Sequence, residues 1–375
     1  MNHKFACRVA IGLSLIARSL VGIVVGQTEA AAKPKLSENV YKNIQMLKGI
    51  PADELIPAMQ FITYSLGVEC SFCHVEGALE KDDKKPKQTA RKMIQMMGAI
   101  NQATFDTKRE VTCYSFHHGS THPVAVPVVA ETGNSPMPAM MLEEHASATP
   151  NVPRVEQILA KYVDAVGGAS AVGKLITREE KGTIKAAGRQ LPIEILTKTH
   201  GKQISIIHLP NGDNITAYSE ASGWTSTAHG RARDIAKVEV ASARVEADLQ
   251  LPIHMKQLFS EIKAEKPDRI GDREVYVISG LNAGEPAAKF YFDGQSGLLV
   301  RTLRYVNSPL GQNPTQIDYA DYRDQDGVKT PFQLTIARPD TRLTIQIDEA
   351  KYNVPLDDAR FAWPANAPAE KPASP

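Results

Sequence analysis

The sequence predicts an α+β protein, a small α-helical domain followed by a curved, half-barrel-like antiparallel β-sheet domain packed on a helix. Three observations carry this expectation. Two stretches, 52–66 and 90–100, repeat apolar side chains at helical spacing, and each leads into a short cysteine-containing motif. A proline-rich stretch follows, with Pro123, Pro127, Pro136, Pro138, Pro150 and Pro153. Beyond Leu175 the pattern changes to short alternating runs, the period of strands that bury one face.

Taken in order, residues 1–32 have the form of a signal peptide. Lys4 and Arg8 precede an apolar run from Val9 to Val25, and small residues follow at Gly26 and Ala30 to Ala32. The run is shorter than the roughly 20 residues of a spanning helix and Arg18 interrupts it, which favours cleavage and export over a retained anchor. The helical domain is expected over 33–128, a linker over 129–153, the β-rich domain over 154–363 and a disordered Pro/Ala-rich tail over 364–375. Length (375 residues) and 42% hydrophobic content fit a soluble, two-domain globular chain. With 43 basic against 42 acidic residues, charge gives no reason to expect nucleic acid as a partner. After cleavage Cys70, Cys73 and Cys113 would remain, an odd number that a disulfide framework cannot use up.

In the first helix Leu55, Met59, Ile62 and Leu66 share one face and Gly67 supplies the stop. Next comes Val68-Glu69-Cys70-Ser71-Phe72-Cys73-His74. A Cys-x-x-Cys-His loop sets two thiols on one turn to add to the vinyl groups of a haem, and the following His can bind the iron. Zinc would require a second ligand pair, and a thioredoxin-type pair would require a βαβ context; neither is visible. Met59 is central on the first stripe. It either fills the core, as a Met at helical spacing usually does, or provides the sixth ligand to an iron that one His leaves open.

A second unit repeats the plan. Lys84, Lys85 and Lys87 read as a solvated charged turn; Ala90, Met93, Met97 and Ile100 form a second stripe; Val111-Thr112-Cys113-Tyr114-Ser115-Phe116-His117 closes it. Phe116 stands where the second thiol should be, so Cys113 offers at most one thioether.

In the run Asn39 to Leu47, Met59, Cys70 to His74, Arg91-Lys92-Met93, Ala99-Ile100-Asn101, Val111 to Ser115, His117 and Gly119, the chain resembles the cytochrome c subunit of photosynthetic reaction centres and the shorter bacterial c-type cytochromes related to it. The resemblance covers residues 38–128. It implies His74/Met59 ligation of one haem c and, where the damaged motif permits, His117/Met93 ligation of a second. The photosynthetic subunits it resembles carry four haem motifs, whereas this chain has one complete and one damaged. What carries over is periplasmic or membrane-associated electron transfer, with a redox donor and acceptor such as a membrane-bound reaction centre or respiratory complex.

The β-rich domain opens with an amphipathic helix from Arg154 to Val166, ended by Gly167-Gly168. Strands are expected at 191–196, 203–209, 289–292, 298–305, 332–336 and 343–347, with Asp293-Gly294 and Asp326-Gly327 as turns. Through that helix, Tyr291-Phe292-Asp293 and Gly297 to Arg301, the region resembles periplasmic domains similar to outer-membrane lipoprotein-sorting proteins, which implies an apolar concavity for acyl chains. A packed core explains the same residues. No nucleophilic triad, phosphate loop or paired-carboxylate motif marks an enzyme. Electron transfer is the leading expectation; a lipid-binding module with a haem redox tether and a haem sensor with an open iron position are the other two.

Overall fold

The helical part forms where the spacing places it, as seen in a computed structural model that describes residues 34–123, 152–186, 188–220, 222–228 and 230–364. The expected signal segment, most of the linker and nearly all of the tail lie outside the described residues. The helices are α1 (Ser37–Val40), α2 (Leu55–Leu66), α3 (Cys70–Cys73), α4 (Lys85–Thr104) and α5 (Cys113–His117). Pro57 lies in the first turn of α2, where its missing N–H costs nothing. Gly67 ends α2 with φ 67°, a left-handed cap that favours glycine. The same glycine admits a close approach: a Cβ there would stand 2.3 Å from the Gly119 carbonyl oxygen. The Gly119 N–H donates to Ser65 O at 2.9 Å, which latches the end of α2 to the end of the second motif.

Strands follow from residue 177 onward. The first six are β1 (Thr177–Ala186), β2 (Arg189–Lys198), β3 (Lys202–Leu209), β4 (Gly212–Ser219), β5 (Ser222–Ser226) and β6 (Arg233–Asp234). The others are β7 (Glu261–Ala264), β8 (Asp268–Ile270), β9 (Arg273–Asn282), β10 (Glu285–Asp293), β11 (Leu299–Ser308), β12 (Gly311–Gln325), β13 (Val328–Arg338) and β14 (Thr341–Tyr352). They pair antiparallel in one open sheet, in the order β6-β5-β4-β3-β2-β1-β14-β13-β12-β11-β10-β9-β7, with β8 on β9. Two meanders, β1–β6 and β9–β14, are thus joined where the last strand returns beside the first. The Asp326-Gly327 turn between β12 and β13 has both residues at positive φ, 54° and 81°, as a two-residue hairpin turn requires.

Helix α6 (Val155–Ala165) leads this part, and α7 (Ala169–Val172), α8 (Lys237–Ala247) and α9 (Leu251–His254) complete it. Ile158, Leu159, Tyr162 and Val166 bury against Phe290, Phe292 and Leu299 of β10 and β11, with Val245 of α8 and Met255 in the same core. Gly167 again serves close approach, since a Cβ would meet Gly327 O at 2.1 Å, and the Lys329 N–H donates to Val166 O at 3.0 Å.

The described residues after Pro34 belong to one compact unit. The junction is a hairpin tip: Leu310, between β11 and β12, is buried among Leu47, Leu55, Ala58, Phe61, Ile62 and Met97 of the helical part. A Cβ on Gly311 would lie 2.3 Å from the Phe61 ring, and the Asn313 side-chain amide donates to Pro57 O at 3.0 Å. The Arg109 guanidinium donates to Ser308 O from the other side.

Candidate functional site

The complete motif forms the single turn α3, with Cys70 exposed and Cys73 half-buried, both as free thiols. Burial raises the Cys73 thiol pKa, against the nearby Lys84 ammonium, which lowers it. His74 caps the turn in extended conformation, and its N–H donates to Cys70 O at 3.0 Å. His74 Nδ1 lies 2.7 Å from Leu79 O. A carbonyl oxygen only accepts, so Nδ1 carries the proton and Nε2 keeps a free lone pair, the tautomer of an iron ligand.

The segment behind the motif departs from the sequence expectation. Lys84, Lys85 and Lys87 are not a solvated turn, and only Lys85 is exposed. The Lys84 ammonium donates to Ser71 O inside the motif. Lys87 is 9% exposed and donates to Leu79 O, Glu80 O and Lys81 O at 2.9, 2.9 and 2.8 Å. Three carbonyl oxygens of a tight loop take up the three N–H donors of one ammonium in place of water, and the Asp82 carboxylate also stands 3.1 Å away. Asp82 in turn accepts from Arg91 Nη1 at 2.8 Å and Asn43 Nδ2 at 2.9 Å, and these contacts, Arg91 first, hold its carboxyl well below the usual range. Asn43 and Arg91 therefore brace the loop on which His74 leans.

The second motif forms α5, with Thr112 and Ser115 in a reciprocal capping box. Asn101 of α4 is buried and pairs twice with Val111, donating Nδ2–H to Val111 O at 2.7 Å and accepting the Val111 N–H at 3.0 Å. Replacing Asn101 with Leu strands both backbone groups and is expected to lower stability by about 1–3 kcal/mol in thermal or denaturant unfolding. His117 repeats the arrangement of His74, its Nδ1 lying 2.9 Å from Ser120 O. Cys113 differs from Cys70: its sulfur is 4.0 Å from the sulfur of buried Met97, and burial raises its pKa.

Met59 is half-buried at the margin of the helical core, while Met93 is 38% exposed on α4. Of the expected second stripe only Met97 is buried, with Ala90 and Ile100 half-buried and Met93 exposed, and the other buried positions of α4 are Lys87 and Asn101. Among the described residues ten large apolar side chains are exposed, and eight of them fall between 40 and 114: Val40, Tyr41, Ile56, Phe72, Leu79, Met93, Met96 and Tyr114. A small helical part with this surplus of apolar surface, two free thiols and a poised imidazole fits a fold built around a covalent haem. A cleft of about 810 Å³ separates α2 and residues 107–114 from β12, with Tyr64, Lys108, Arg109, Glu110 and Pro314 in its walls. A smaller cavity of about 200 Å³ under α8 is walled in part by Ser242, Arg244, Asn282 and Glu285. No described helix is long and apolar enough to cross a membrane.

Residues 17–159 match the family described as photosynthetic reaction centre cytochrome C subunit. The chain is 34% identical over 94 residues to the photosynthetic reaction center cytochrome c subunit of Thermochromatium tepidum, covering 24% of this chain and 23% of that one. It is 33% identical over 110 residues to the corresponding subunit of Roseobacter denitrificans, covering 26% and 30%. The chain thus spans less than a third of the length of these relatives, and the similarity supports a cytochrome-like role for its N-terminal part. The β-rich part aligns with the crystal structure of a LolA superfamily protein from Nitrosomonas europaea at 12% identity and TM-score 0.37, covering 56% of this chain and 98% of that one.

Proposed function

We propose that the chain is an exported electron-transfer protein in which Cys70 and Cys73 would hold one haem c through thioethers and His74 and Met59 would bind its iron. The observation that carries this reading is the tautomer fixed on His74 beside two free thiols on one exposed turn. When bound, the haem supplies a one-electron ferrous–ferric couple. The protein's own contribution is to orient the imidazole through Leu79 O and to brace that loop with Lys87, Asp82 and Arg91. Similarity to a reaction centre subunit makes a membrane-bound reaction centre or respiratory complex in the periplasm the expected redox partner.

Met59→His tests the reading. It is expected to lower the midpoint potential and to remove the weak near-infrared sulfur-to-iron band of the ferric protein, because a thioether favours ferrous iron more than a second imidazole does. A wild-type protein that lacks this band and binds carbon monoxide readily has an open iron position, and the electron-carrier reading then fails.

A further inference from the structure

Leu79 O accepts from two donors, His74 Nδ1–H at 2.7 Å and the Lys87 ammonium at 2.9 Å. The same ammonium gathers the next two carbonyls, so three successive backbone groups converge on one buried cation. Asp82 bridges Lys87 and Arg91, at 3.1 and 2.8 Å, which leaves the Lys87–Asp82–Arg91 group with a net charge of plus one behind the imidazole. We propose that Lys87 is a positioning and tuning residue for His74: it fixes the carbonyl that orients the ring and limits how strongly that carbonyl pulls on the Nδ1 proton. The proposal rests on His74 being a haem ligand.

Two effects of removing Lys87 have the same sign. Leu79 O becomes a stronger acceptor, giving the imidazole more anionic character, and a positive charge disappears; both favour ferric iron. Removing the negative charge at Asp82 does the opposite. A purely structural role for these residues would not produce shifts of opposite sign.

The test uses the full chain with its haem attached and the variants Lys87→Met, Lys87→Gln and Asp82→Asn. Lys87→Met is expected to lower the midpoint potential and to speed amide exchange at Ala78 and Lys81. Lys87→Gln, which keeps two N–H donors without charge, is expected to recover much of the exchange protection while its potential stays low. Asp82→Asn is expected to raise the potential. An unchanged potential in Lys87→Met, or shifts of the same sign in Lys87→Met and Asp82→Asn, would overturn the proposal. If Lys87→Met does not fold, the opposition between Lys87→Gln and Asp82→Asn decides. If the wild-type chain carries no haem, the electron-transfer reading fails by itself. The exchange rates and the His74 Nδ1–H nitrogen resonance in Lys87→Met then still decide whether Lys87 orients the ring.

Discussion

Leu310→Asp is expected to unfold the helical part while the sheet persists. Leu310 is 3% exposed, and it reaches the helical core from a hairpin tip that belongs to the sheet. Truncating a buried Leu to Ala costs about 2–5 kcal/mol, and a carboxylate in the same place adds the cost of burying an unpaired charge. The helical part has little reserve against this, since so many of its large apolar side chains already face solvent. The sheet, by contrast, keeps a separate core around Tyr162, Phe290 and Phe292. Amide exchange resolved by segment is the measurement: α2 and α4 should lose protection, whereas β1, β2 and β9 to β11 keep theirs. Gly311→Val, which forces a side chain into the Phe61 ring, should act in the same direction through the same contact. Protection of α2 unchanged in Leu310→Asp would show that the hairpin merely rests on the helical part.

That contact illustrates what the sequence could not reveal. The first helical stripe, the Gly67 stop and the α6 ending were legible because they depend on neighbours three or four residues away, whereas on α4 Met93 is exposed and Lys87 and Asn101 are buried in its place. Also legible were six of the strands and the Asp326-Gly327 turn, whereas Asp293 closes β10 and Gly294 only opens the loop that runs to Leu299. β12 escaped because its inward positions include Gly311, Asn313 and Thr315, whose polarity hides the alternation, and because Pro314 argues against a strand. α8 escaped because Lys237 to Ala247 mixes small and charged residues around the helix without a clear apolar stripe. Lys87 was misread for a related reason. A lysine in a lysine-rich turn has the signature of a solvated residue, and only the fold reveals three carbonyls arranged around it. At the site itself the Cys-x-x-Cys-His spacing of residues 70–74 stands in the sequence, while the Leu79 carbonyl that accepts from His74 Nδ1 does not.

The largest expected effect at the site separates the two motifs. Cys73→Ala is expected to remove most of the covalent haem, and Cys113→Ser to leave it unchanged. In the first motif both thiols lie on an accessible turn, and the Lys84 and Lys87 contacts hold the backbone on either side of His74. In the second motif Phe116 replaces one thiol, and the other is turned inward against the Met97 sulfur, where it helps to fill the helical core. Against this, His117 has the same carbonyl anchor as His74, and Met93 is exposed on α4, so two ligand types for a second iron persist. The inward thiol decides the expectation, because a single thioether would have to pull Cys113 out of a packed position. Cys113→Ser should instead appear in stability, since a hydroxyl buried without a partner against Met97 costs about 1–3 kcal/mol. Intact mass together with the pyridine haemochrome ratio reads the outcome. One haem per chain in the wild type, lost in Cys73→Ala and kept in Cys113→Ser, fits a second site that no longer attaches its cofactor covalently. Two haems per chain, with a red-shifted α band from a single thioether that vanishes in Cys113→Ser, would assign Cys113, His117 and Met93 to a second working centre.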